Sequence, residues 1–184
     1  MVYYWISWIA ITYLLLVDRK KNDLTYLFLW LVLLNILFIE IEVECLQFKL
    51  TLPYLYTLII FWLLILIKKM AYFNYLLLFC LIMIYNGIKY ILITNPIWIF
   101  FNETIMISCV IIIILLILVQ DPIDRIYLLI TSCLTGELLY AYQVKVFDWQ
   151  VTIGEINFFT SIYLAIIICY LVQWLFSRRI LARI

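Results

Sequence analysis

The chain has no histidine, three glycines, three prolines and only 12% charged residues in 184. Without histidine it lacks the commonest metal ligand and the side chain that changes charge near neutral pH. A Ser-His-Asp triad, a histidine-bound zinc centre and a histidine-ligated haem are therefore excluded. Three glycines are too few for the discontinuous helices on which many transporters are built, and no internal repeat is apparent. The five cysteines, Cys45, Cys80, Cys109, Cys133 and Cys169, form no CxxC. Four of them lie in apolar runs, where cysteine packs as a small hydrophobe, so neither a disulfide framework nor a metal site is expected. A net charge of +1 gives no reason to expect a nucleic-acid partner, and no motif asks for a cofactor.

What the chain has in excess is apolar surface. Seventy per cent of its residues are hydrophobic, against roughly 45–50% in soluble domains. A water-soluble fold cannot hide that much, so the lipid bilayer is the expected solvent. The apolar stretches predict an all-α polytopic transmembrane helical bundle of about seven helices, forming one domain over residues 1–184. The spans are expected at about 2–17, 24–39, 50–67, 71–93, 104–119, 126–142 and 156–176.

The first stretch includes Trp5 and Trp8 but has no basic region before it and no small-x-small cleavage site. It reads as a retained span, although it is near the lower length limit for crossing hydrocarbon. Six helices result if it only lies in the interface. DRKKND (Asp18 to Asp23) is the first aqueous loop. Glu40, Glu42 and Glu44 follow the second span on alternate positions. That spacing suits a short strand, but the reading adopted is a solvated acidic connection; a three-carboxylate cation site lacks supporting ligands. Pro53 sits in the first turn of the third span, where it does little harm, and Lys68-Lys69 closes that span with a tight turn. TNPIWIFFNE (Thr94 to Glu103) reads as an interfacial loop. The fifth span, with its IIIILLILV run, shows no distinct face and is expected to meet lipid over much of its surface. Asp121-Pro122 starts a turn. In that turn Asp124 is a helix N-terminal acid and Arg125 a snorkelling side chain. KVFDWQVTIGE (Lys145 to Glu155) is a loop whose alternating apolar residues suit a short extended segment.

Orientation follows from the basic residues. With the N-terminus outside, the cytoplasmic segments hold Arg19, Lys20, Lys21, Lys68, Lys69, Arg125, Arg178, Arg179 and Arg183. The other side holds Lys49, Lys89 and Lys145. Nine against three is a positive-inside pattern and predicts N-out, C-in.

Glu137 is the one acidic residue deep inside an apolar span. Arg125 and Lys145 are 20 residues apart, roughly 30 Å along a helix, so they bracket the sixth span. Glu137 lies 12 residues beyond Arg125, roughly 18 Å in and slightly past the midplane. An unpaired carboxylate there costs several kcal/mol or more, so it must be protonated, wetted or partnered. Lys89 on the fourth span and Asn86 one turn before it are the candidate partners, and a salt bridge with Lys89 needs the lysine stem to reach inward. Asn35 and Gln173 are other polar groups at membrane depth. Ser132 and Gly136 form a small-xxx-small face that lets a neighbouring helix approach closely. Cys133, Glu137 and Ala141 lie beside that face, so Glu137 borders a helix contact rather than lipid. The reading adopted is a glutamate that fixes helix packing. The alternative is a small polar cavity in which Glu137 binds a proton, a cation or a cationic group.

DPIDRIYLLITSCLTGELLYAY followed by IGEINFFTSIYLA, within Asp121 to Ala165, resembles the YphA-type family of small multi-spanning proteins of Bacillus-like Firmicutes. The shared features are Asp121-Pro122 with Arg125, then Gly136-Glu137, then Ile153-Gly154. An aspartate often stands just after the phenylalanines of the last motif; here Thr160 does. The resemblance implies a bacterial plasma-membrane protein and brings no catalytic residue with it. The expectation is a multi-pass membrane protein that is not an enzyme and acts through interactions in the bilayer, including with other membrane proteins. A small transporter or proton/cation-translocating protein using Glu137 is the alternative, and an intramembrane enzyme comes third.

Overall fold

Long apolar runs punctuated by proline, aspartate and lysine become helices, and the two acidic or mixed connections on one side become strands. The computed structural model describes residues 2–16, 23–45, 48–94, 103–145 and 152–181. Among these the order is α1 (Val2–Leu16), α2 (Asp23–Phe38), β1 (Glu42–Cys45), β2 (Phe48–Thr51), α3 (Leu52–Lys68) and α4 (Tyr72–Thr94). It continues with α5 (Glu103–Leu118), α6 (Pro122–Lys145), β3 (Thr152–Ile153) and α7 (Ile156–Leu181). The first aqueous loop and the TNPIWIFFNE connection lie largely outside the described residues.

Local chemistry sets several boundaries. Thr51, in extended conformation, precedes α3, with proline in its opening turn, where a missing N–H costs nothing. The same helix stops at Lys69, whose φ of 46° is left-handed, and Asn74 N–H then bonds Ala71 O at 2.9 Å to start α4. At the head of α6 the Asp121 carboxylate accepts the Ile123 N–H at 3.1 Å, satisfying a donor that the first turn leaves unpaired.

The acidic stretch after α2 is more ordered than a solvated connection. Residues 42–45 pair antiparallel with 48–51, and β3 adds in parallel to β2, so the sheet order is β1-β2-β3. Alternation is the reason: a period of two puts Glu42 and Glu44 on one side of the strand. Both remain exposed. Gly154, just after β3, has φ 82° and touches the start of α3. A Cβ there would lie 2.5 Å from Tyr54 Cβ and 2.6 Å from Thr51 Oγ1. Thr51 Oγ1 donates to Gly154 O at 2.8 Å and ties the α6–α7 connection to β2.

The helices pack around α6, which touches α3, α4, α5 and α7, while α1 lies against α2 and α7. Residues Tyr127, Leu128, Leu129, Ile130, Thr131, Ser132, Cys133 and Leu134 are buried without interruption. It is the most polar of the seven helices among the described residues, and its neighbours enclose it. Tyr72–Leu92 in α4 is the one described helix long and apolar enough to cross a membrane by length and composition; Val2–Leu15, Tyr26–Phe38, Leu52–Lys68, Ile105–Leu118 and Ile156–Val172 are shorter apolar helices. Helix α5 is apolar on every side, and yet one side of it is packed. Ile107, Ile111, Ile112 and Leu115 are buried, whereas Val110, Ile113 and Ile117 are exposed. All are apolar, so the neighbouring helices choose the inner face and hydrophobicity does not.

Candidate functional site

Helices α4 and α6 run side by side in the same direction. Hydrogen-bonded residues along them are 50, 48 and 52 apart in sequence at Asn74–Asp124, Lys89–Glu137 and Tyr85–Glu137. Gly136 permits the close approach. A Cβ on it would lie 2.5 Å from Tyr85 Cδ1, 2.6 Å from Cγ and 2.9 Å from Cβ, so the Tyr85 side chain occupies the missing methyl's place. Laid across Gly136, Tyr85 donates its hydroxyl to Glu137 Oε2 at 2.6 Å. One turn further along α4, Lys89 Nζ donates to Oε1 at 2.6 Å and Oε2 at 2.5 Å.

Both partners are buried, Glu137 at 5% and Lys89 at 7% exposure. The lysine stem does reach inward. Its ammonium also faces the Tyr140 ring at 4.2 Å and the Tyr85 ring at 5.9 Å. From α3, Tyr54 donates its hydroxyl to Leu134 O at 2.5 Å, and Trp62 Nε1 donates to Thr135 Oγ1 at 3.1 Å. Helices α3 and α4 thus converge on one stretch of α6. In a low-dielectric interior the charges are tolerable because they are paired and hydrogen-bonded.

Asn86 does not join this pair. It is 7% exposed, and its Oδ1 is buried without a hydrogen-bond partner among the described residues. Ser132 turns its hydroxyl to Leu129 O at 3.0 Å, so the small-residue face is satisfied within its own helix.

A second buried polar cluster forms around Asn35 of α2, whose depth the sequence marks but whose partners it does not. Asn35 Nδ2 donates to Tyr163 Oη of α7 at 2.8 Å, and Tyr56 of α3 donates its hydroxyl to Asn35 Oδ1. Tyr3 of α1 stacks on Tyr163, with centroids 5.9 Å apart and planes 17° apart. With 15 tyrosines in the chain, no pattern picks out these three.

At the other end of α6, Asp124 pairs with Lys68 at the close of α3 and accepts from Asn74 Nδ2 at 3.0 Å. Asp121 lies 3.6 Å from the same lysine. Arg125 does not simply snorkel: its Nε donates to Val119 O at 2.5 Å, just past the end of α5. A cation is favoured there by the unpaired carbonyls of a helix C-terminus.

The chemistry available at the inner site is that of a closed ion pair. Glu137 accepts from Lys89 at both oxygens and from Tyr85. Residues 1–183 match the family described as YphA-like integral membrane protein, well beyond the 121–165 stretch that carried the resemblance. No curated protein and no solved structure matches the chain.

Proposed function

Since the chain belongs to the YphA-like integral membrane protein family, we propose that it is a multi-pass protein of a bacterial plasma membrane with seven spans, N-out and C-in. Its role is that of a structural or interaction component of the bilayer, without catalysis. The observation that carries this role is the Glu137–Lys89–Tyr85 contact, in which each charge is neutralised by the protein itself. Translocation needs a path through the protein as well as a site, and here the carboxylate is engaged at both oxygens where α4 and α6 pack together.

The orientation rests on the basic residues together with the way the helix ends gather. Lys68, Asn74, Asp124 and Arg125 meet at one end, the end to which the positive-inside rule assigns the cytoplasm. The sheet and Glu42 and Glu44 lie at the other, where Lys145 Nζ sits 4.8 Å from the Phe48 ring. Helices of 15–17 residues such as α1, α2, α3 and α5 are short for a hydrocarbon core of about 30 Å, which favours little tilt and some local thinning.

The test is ion flux in liposomes, comparing the wild-type chain with Glu137→Gln. Equal, background-level proton and cation flux is expected from both. Wild-type flux that Glu137→Gln abolishes overturns the structural reading in favour of translocation.

A further inference from the structure

Lys89 is held the way a receptor holds an amine. One carboxylate takes two N–H bonds from the same nitrogen, at 2.5 and 2.6 Å. A tyrosine ring lies 4.2 Å from that nitrogen and a second at 5.9 Å. Carboxylate plus aromatic faces is the general solution for holding an organic cation away from water. Here the cation belongs to the chain. We propose that Glu137, Tyr85 and Tyr140 form a binding site for a primary ammonium group, filled in this structure by Lys89 as a tethered occupant and open to exchange with an amine from outside.

Three observations support exchange. First, the site is near a helix end: Lys89 is five residues before Thr94, the last residue of α4, or roughly 8 Å. A lysine at that depth can swing its charged head toward the headgroup region and keep its stem in apolar surroundings. Second, an incoming ammonium keeps Glu137 paired, and the displaced Lys89 ammonium, swung to the headgroup region, finds lipid phosphate and water as its new partners. Third, Asn86, one turn before Lys89, keeps a buried Oδ1 without a hydrogen-bond partner among the described residues. It is an unused acceptor on the same side of α4, suited to an additional N–H.

The geometry also selects the ligand. A primary ammonium can donate to both carboxylate oxygens, whereas a quaternary trimethylammonium has no N–H to give. The chemistry therefore favours a free alkylamine or the headgroup of an aminophospholipid over a choline headgroup, which can use the rings and the charge but neither N–H bond.

The test measures saturable binding of radiolabelled ethylammonium to the full chain in phosphatidylcholine nanodiscs. Binding is expected for the wild type and is expected to vanish in Glu137→Gln. Lys89→Ala removes the tethered competitor, and apparent affinity should rise about tenfold or more. Replacing part of the lipid with phosphatidylethanolamine should weaken ethylammonium binding if the lipid is the natural source and leave it unchanged if a free amine is. Absence of binding to folded Lys89→Ala overturns the site. Binding to Lys89→Ala but not to the wild type overturns the exchange and makes Lys89 a permanent fixture. Should Lys89→Ala fail to fold, the wild-type and Glu137→Gln pair decides alone: binding by the first and not the second supports the site, and any other result overturns it. The structural reading survives either failure, since liposome flux tests it independently.

Discussion

Helix α6 carries two lysine–carboxylate pairs, and they differ in nearly everything except their chemistry. Asp124 meets Lys68 at the head of the helix, where the two side chains are 14% and 32% exposed. Glu137 meets Lys89 thirteen residues later, with side chains 6% and 9% exposed, roughly 20 Å further along the axis. At the first site water competes for both charges and Asn74 and Asp121 share the work. At the second, Tyr85 and the Tyr140 ring close around the pair. The same bond type therefore ties α3 to α6 within reach of water in one place and ties α4 to α6 in the interior in the other.

The largest expected effect comes from breaking the inner pair on one side. Lys89→Met or Glu137→Leu leaves a single buried charge, and loss of about 3–5 kcal/mol follows from stranding it. Removing both charges together is expected to cost much less, because an apolar pair of similar volume packs without desolvation. Thermal unfolding in detergent micelles of the two single variants and the double variant measures the difference. A double variant as unstable as the sum of the singles shows that the charges do not act as a pair.

Gly136→Ala tests how the inner pair is brought together. The added methyl would sit 2.5 Å from the Tyr85 ring, and because the side chain is fully buried against α6 it must carry α4 with it. Overpacking of this kind costs about 1–3 kcal/mol. The same variant should lengthen the Lys89–Glu137 contact, so its loss is expected to be partly non-additive with Glu137→Gln. Full additivity in a double-mutant cycle separates the helix contact from the ion pair.

The unequal legibility of these features in the sequence has a physical cause. A carboxylate in an apolar run is costly without a partner, so Glu137 is conspicuous, and Lys89 is the membrane-embedded cation at nearly its depth. Helix stretches and turns follow from runs of apolar residues interrupted by Asp121-Pro122 or Lys68-Lys69. The short sheet was only hinted at by alternation in EIEVE and KVFDWQVTIGE, because such brief strands depend on a partner strand distant in sequence. The Asn35–Tyr56–Tyr163 cluster was invisible for a different reason. Tyrosine hides its hydroxyl behind an apolar ring, so a buried hydrogen bond and a lipid-facing aromatic look alike in sequence. The inner face of α5 was invisible because isoleucine is equally content against lipid or protein.

The outer pair marks the small end of the comparison. Lys68→Met removes the partner of Asp124, but Asn74 still donates to that carboxylate and water reaches it. The expected cost is about 0–1 kcal/mol, the range for exposed pairs. It should shrink further at high salt, where a Debye length of about 3 Å at 1 M screens what remains. The inner pair, shielded from the electrolyte, should show no such dependence. Unfolding of Lys68→Met and Lys89→Met at low and high salt therefore reads depth directly. If both respond alike, water reaches Glu137, and the closed joint between α4 and α6 is open to solvent after all.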